Sequence, residues 1–318
     1  MDRHTWQPPG REAQLRIILE VQKLTLRVST GHVLQTKKKI LGDISFEVEQ
    51  GKATAYLGPN GAGKTSTFRI LCGLCRPDSG EIRFAGQEIT SKLPSSQVGF
   101  MPEQPYFYRH LSARELLEAL GSLSGMPAAD RRSSIIHWAE RLDFGHVLDQ
   151  RLSQCSKGQV QRIGLAQALM HRPRFLLLDE PMSGLDPLGR ETVKEVLRDV
   201  VHEGTSLLFS SHILSDAESL CENVIILNRG KVLHQGDICE LTQATDAWDI
   251  EVSGPALPGI SAQPITRDSW RVTVESLSRR NEVLKEILQD PNRLLLNVSK
   301  HKLDLETAFV RLIKEGKA

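Results

Sequence analysis

The stretch Gly58-Pro59-Asn60-Gly61-Ala62-Gly63-Lys64-Thr65 constrains this chain more than any other. It fits G-x-x-x-x-G-K-[ST] and sits between an apolar strand pattern, Ala53 to Leu57, and an apolar helical pattern, which is the setting in which that motif binds phosphate. Glycines at 58, 61 and 63 let the backbone curl so that successive N–H groups point inward at phosphate oxygens. The helix starting at Lys64 adds unpaired N–H donors and a positive dipole end. Lys64 can reach terminal phosphates, and the Thr65 hydroxyl is a hard oxygen ligand for Mg²⁺.

The second half of such a site is an acid at the end of a buried strand. Phe175 to Leu178 is an unbroken apolar run closed by Asp179 and Glu180, as expected of a strand covered on both faces. Asp179 is placed to hold the metal through water, and Glu180 to polarise the attacking water. Further on, Val193, Val196, Leu197, Val200 and Val201 lie on one helix face, and Ser206 to Phe209 and Val224 to Leu227 read as two more buried strands. The alternation predicts a parallel α/β sheet with crossover helices. Residues 106–171 read mostly as helix, an insertion into that sheet. Ahead of the glycine loop, Leu24 to Val28 and Ile44 to Val48 read as short strands. Glu81 to Phe84 follows a strong turn as another, and the helix after the loop is expected to end near Leu74. Residues 1–19, with Pro8-Pro9-Gly10, read as a loose arm. Near 243 the texture changes to a β-β-α-β-α unit running to the end, a small α+β domain.

Composition excludes several alternatives. Hydrophobic residues are 40% of 318, too many for a disordered chain. The formal charge of +1 lacks the footprint of a nucleic-acid binder, so no nucleic-acid partner is expected. No apolar run reaches the ~18–20 residues of a membrane span. The polar start argues against a secretory signal, and five cysteines fit a reducing compartment, so the expected location is cytoplasmic. Residues 1–40 hold eight Lys or Arg against three Asp or Glu, densest at Lys37-Lys38-Lys39. This run reads as a solvated loop, with an anionic membrane face as the alternative. Cys72 and Cys75 have C-x-x-C spacing but fall on the expected helix, where they read as packing.

Cys155-Ser156-Lys157-Gly158-Gln159 precedes the acidic strand, and Ser183-Gly184-Leu185-Asp186 and Ser210-Ser211-His212 follow it. In this order and spacing the elements resemble the ATP-binding cassette (ABC) ATPase family over about 20–242. The resemblance implies a P-loop α/β core with an antiparallel β-subdomain and a helical subdomain inserted at about 105–171. Residues 243–318 would then form an accessory α+β domain. It implies ATP and Mg²⁺ as cofactors, a nucleotide cradle extending through Ser66, and a head-to-tail homodimer. In that dimer Ser156, Gly158, Gln159 and Asp186 of one copy meet the ATP held by the other. Glu180 would be catalytic, His212 the γ-phosphate switch, and Thr65, Asp179 and Glu103 the metal side, with Gln104 the alternative to Glu103. Lys157 stands where the family commonly has glycine, and Cys155 where it has leucine. No aromatic residue lies between Trp6 and Phe46 to stack on adenine, which leaves Arg27 or His32. The stretch from Met101 to Leu117 is similar to ABC-2 exporters. That implies a separate membrane permease, with Tyr106 and Phe107 either anchoring it or filling the helical core, and a position on the inner face of the membrane. An importer subunit and a soluble ABC ATPase are the alternatives.

Overall fold

The computed structural model describes residues 17–30, 36–242, 247–255, 260–301 and 303–315. Two compact units divide the chain, one ending at Asp237 and the other beginning at Ile238. The first opens with a long antiparallel ribbon, β1 (Ile17–Thr30) and β2 (Thr36–Glu49). In it Leu19 faces Val48, Val21 faces Phe46 and Leu24 faces Ile44. The sequence pattern predicts only short pieces of this ribbon and places Ile17 to Leu19 in the arm. Lys23 and Asp43 sit at positive φ, and the register slips between Val21 and Leu24. Such bulges break the alternation of apolar and polar residues that marks a strand in sequence.

Strand β3 (Ala53–Leu57) is wholly buried and leads through the glycine loop into α1 (Lys64–Leu71). Strands β4 (Ser79–Phe84) and β5 (Gln87–Glu88) complete a four-stranded sheet in the order β2-β1-β4-β5. Its apolar face packs Ile18, Val21, Leu24 and Phe46 together with Tyr56 and Phe68. Helix α1 stops three residues before the expected Leu74. The N–H of Leu74 bonds the carbonyl of Arg69 (2.8 Å), that of Gly73 bonds Ile70 (2.9 Å), and Gly73 takes φ 72°. This is a Schellman closure, which glycine accommodates without steric cost. Cys72 and Cys75 therefore do not share a helix; both are partly buried against the same core. Burial pushes the Cys72 thiol up to about 12, which removes the thiolate needed for redox or metal chemistry near neutral pH.

The remaining strands and α-helices of this unit are β6 (Val98–Met101), α2 (Ala113–Leu123), α3 (Ala128–Arg141), α4 (Lys157–Leu169), β7 (Phe175–Leu178), α5 (Pro187–His202), β8 (Ser206–Ser211), α6 (Leu214–Leu220), β9 (Asn223–Asn228) and β10 (Lys231–Asp237). The sheet order is β10-β9-β3-β8-β7-β6, parallel except for β10. Helix α2 is started by a reciprocal capping box between Ser112 and Glu115. On α5 the buried face is Val193, Val196, Leu197 and Val200, each contributing roughly 1.5–3 kcal/mol through burial.

The second unit holds α7 (Ile238–Leu241), β11 (Trp248–Ser253), β12 (Ala262–Thr266), β13 (Ser269–Val274), α8 (Leu277–Gln289), β14 (Leu294–Lys300) and α9 (Leu305–Glu315). Its antiparallel sheet runs β12-β13-β11-β14 over a core of Ile250, Val252, Val272, Val274, Val283 and Ile287. Strand β12 was not expected. It is an edge strand exposed over most of its length and carries Pro264, so it lacks the buried alternation that reveals a strand.

Candidate functional site

Parallel strands deliver their C-terminal ends to one edge of a sheet, where α/β folds bind ligands. Here β3 ends at the glycine loop, β8 at Ser211 ahead of His212, and β7 at Leu178 ahead of Asp179 and Glu180. Because β8 lies between β3 and β7 in register, Leu57 stands beside Ser211 and Leu178 beside Phe209.

The loop is built as the motif demands. Gly61 and Gly63 adopt φ 78° and 114°, conformations that L side chains rarely hold. A Cβ on Gly63 would also meet Leu41 Cδ2 at 2.5 Å, and one on Gly58 would meet the Leu227 carbonyl at 2.3 Å. Ala62 N–H bonds the Pro59 carbonyl (3.0 Å), and Gly230 N–H bonds the Ala62 carbonyl (2.9 Å), which pins the loop to the β9–β10 turn. Pro59, Asn60 and Gly61 are exposed, and Thr65 and Ser66 are half-buried on the first turn of α1. Lys64 is nearly buried and donates to the Gly58 carbonyl at 2.7 Å. Its ammonium is thus held over the loop where an anion would sit.

The acids are organised by Ser210, to which the sequence pattern assigns no role of its own. Its hydroxyl accepts from the Glu180 N–H (2.9 Å) and donates to Asp179 Oδ1 (2.6 Å). Asp179 is buried, and its own N–H bonds the Met101 carbonyl at the end of β6 (2.8 Å). Glu180 takes φ 50°, an uncommon conformation for its residue type. Gln161 of α4, also unforeseen, donates to the Glu180 and Pro181 carbonyls (3.1 and 3.3 Å) and so ties the turn down. The Glu180 carboxylate meets His212 Nδ1 at 2.6 Å and accepts from the His212 N–H at 3.3 Å. The histidine ring is largely exposed while the Glu180 side chain is not. The one signal in the sequence for Ser210 was its place at the end of an apolar run next to His212; Gln161 gave none.

Glu103 and Gln104 are exposed just past β6. Gln104 Oε1 accepts from the Tyr106 hydroxyl at 3.4 Å. Tyr106 is 90% exposed and Phe107 half-buried, so Tyr106 does not fill the helical core. Arg27 is exposed on β1, where its N–H donates to Asp78; His32 lies outside the described residues.

Ser156, Gly158, Gln159 and Asp186 form a second cluster. Ser156 caps α4 through a capping box, with its hydroxyl accepting from Gln159 N–H (3.2 Å) and Gln159 Oε1 accepting from Ser156 N–H (2.8 Å). Asp186 caps α5 by accepting from Gly189 N–H (3.0 Å). A Cβ on Gly158 would touch Leu185 at 3.4 Å, and one on Gly184 would meet Lys157 at 2.9 Å, so the two loops lie against each other. Among the described residues no hydrogen bond or ion pair joins this cluster to the glycine loop.

Residues 41–183 match the family model described as ABC transporter. The chain is 33% identical over 307 residues to an uncharacterized ABC transporter ATP-binding protein of Synechocystis, covering 94% of this chain and 85% of the relative. It is 34% identical over 222 residues to a Nod factor export ATP-binding protein of Paraburkholderia xenovorans, covering 69% and 73%. Among solved structures it resembles the ATP-binding subunit of an ABC transporter, with TM-score 0.62 and 28% identity over 71% of this chain and 92% of the other. The fold also matches a dimeric ATP-binding cassette in a post-hydrolysis state bound to ADP and Pi, with TM-score 0.64 and 22% identity over 70% and 99%.

Proposed function

This chain belongs to the ABC transporter family, and we propose that it is an ATPase subunit that closes with a second copy around ATP and drives export through a separate membrane permease. One observation carries the reading: a phosphate-type loop, a buried Asp179 and a Glu180–His212 contact of 2.6 Å all stand at the ends of neighbouring parallel strands.

Each residue has a chemical task. The glycine loop from Gly58 to Gly63 presents N–H groups to the phosphates, and Lys64 turns from the Gly58 carbonyl to the terminal phosphates. The donor set available for Mg²⁺ is all hard oxygen: the Thr65 hydroxyl, buried Asp179, and Glu103 with Gln104 as the alternative. Among the described residues no group of three or more His, Cys, Asp or Glu could hold a metal. Mg²⁺ takes one or two protein ligands and completes its shell with water and phosphate. Bound there, Mg²⁺ would neutralise charge developing on the phosphates. Glu180 accepts a proton from the attacking water, and His212, held against Glu180, is positioned to sense the γ-phosphate. Ser156 uses a lone pair to cap its helix, which leaves its O–H to donate to the partner copy's nucleotide beside Gly158, Gln159 and Asp186.

No described helix is long and apolar enough to cross a membrane. The exposed Tyr106 ring supports a docking role at that subunit, and the relative named for Nod factor export supports the outward direction. The test is Glu180→Gln. Turnover should fall at least about 100-fold, and the purified variant should elute as a dimer with ATP-Mg²⁺ and as a monomer without it. An unchanged monomer peak, or retained turnover, would overturn the assignment.

A further inference from the structure

The first turn of α6, immediately after His212, carries Asp216, a carboxylate that is 3% exposed. Its Oδ1 lies 2.9 Å from Lys194 Nζ, and its Oδ2 lies 3.8 Å from Arg190. Both cations belong to α5, the helix capped by Asp186. Lys194 is itself largely buried, with 14% of its side chain exposed. Its second acid, Glu191, lies at 3.9 Å and is half-exposed. Arg198 of α5 adds a bond to the Ser219 carbonyl of α6 (3.4 Å). The ends of these two helices therefore belong to different parts of the site. The start of α5 follows the loop 183–186, and the start of α6 follows the switch histidine.

A cavity of about 10 Å³ lies behind the catalytic pair, lined by Glu180, Ser211, His212 and Asp216 among others. Its size is that of about one water molecule, too small for any substrate. Asp216 thus lines the same small cavity as Glu180 and His212. Asp216 Oδ2 is buried and has no hydrogen-bond partner among the described residues. A buried acid with one strong partner is costly unless its position matters, because dry surroundings penalise every unmet charge. The chain between Ser211 and Asp216 is short and braced: the Ser211 hydroxyl accepts from Ile213 N–H and donates to the Ile213 carbonyl, and Asp216 N–H bonds that same carbonyl. A shift of Asp216 would therefore be passed to His212 and, through the 2.6 Å contact, to Glu180.

We propose that Asp216 is a positioning residue for ATP hydrolysis, locking α6 to α5 through Lys194 so that the His212–Glu180 pair keeps its place relative to the Asp186 loop. The inference rests on the reading of Glu180 and His212 given above. The experiment measures kcat, KM and calorimetric ATP affinity for Asp216→Asn, Asp216→Glu, Lys194→Met and the Asp216→Asn/Lys194→Met double variant of the full chain, with Glu180→Gln alongside. Misplacing reacting groups by a fraction of an ångström to 1 Å lowers kcat by about ten- to a hundredfold. Asp216→Asn and Lys194→Met should each show that loss with ATP affinity kept within about twofold. The double variant should be no worse than either single one, because the two side chains act as one unit, and Asp216→Glu should recover most of the rate. Unchanged kcat, additive losses, or a parallel loss of ATP affinity would overturn the proposal. Should Asp216→Asn fail to fold, Lys194→Met decides the matter by the same criteria. If Glu180→Gln kept full turnover, the site reading would fall instead; if only Glu180→Gln lost it, the positioning role alone would fall.

Discussion

Ser210→Ala isolates the hydroxyl that organises both acids. Ser210 is fully buried, so water cannot readily replace its oxygen, and alanine keeps the Cβ, so almost no cavity opens. The substitution removes a hydrogen bond to the Asp179 carboxylate, worth about 1.5–3 kcal/mol, and one from the Glu180 N–H, worth about 1 kcal/mol. The expected loss is about 2.5–4 kcal/mol, which lowers the melting temperature of the cassette by on the order of 10 °C for a unit of this size. Urea unfolding followed by circular dichroism should show a lower midpoint at an unchanged slope for the cassette transition. ATP turnover should fall further than stability alone explains, because the Glu180 backbone at φ 50° loses the bond that holds it. A change in stability below about 0.5 kcal/mol, the range of ordinary surface substitutions, would refute the view that this hydroxyl builds the site.

Lys64→Ala should weaken ATP binding by about 10- to 100-fold, the worth of a charge-assisted hydrogen bond; calorimetry with undiminished affinity would reject its role. Gly63→Ala forces a side chain into φ 114° and against Leu41, and should destabilise the cassette by about 2–4 kcal/mol in thermal melts. Cysteine labelling gives a pH test. Burial favours the neutral thiol of Cys72, and its value near 12 means the thiolate appears only as pH approaches that range. At pH 8 iodoacetamide should modify the exposed Cys239 first and Cys72 about 10³-fold more slowly than an unperturbed thiol. Equal labelling rates in peptide mapping would contradict the packing described for α1.

Much of the site was legible before folding because its parts are local. The loop 58–65 names its own geometry through glycine spacing, and the run ending in Asp179-Glu180 announces a buried strand with acids at its tip. Short or partly exposed elements were not legible. Strand β6 has four residues and includes a glycine, α6 buries little beyond Asp216 and Ala217, and β10 is half-exposed along its length. Each offers too few apolar positions for a period to register.

What the sequence by itself determined is the inventory: which residues can cradle a phosphate, which acids can meet a metal, and which runs must be buried. The tertiary structure decided adjacency. Glu180 and His212 are 32 residues apart and meet only because β7 and β8 lie side by side. Ser210 matters because β8 lies beside β7, which brings its hydroxyl to Asp179 and the Glu180 N–H, and Asp216 because α5 and α6 meet there through Lys194. The physical reason is that hydrogen bonds and ion pairs act over a few ångströms, while sheet order and helix packing are settled by burying apolar surface across the whole domain.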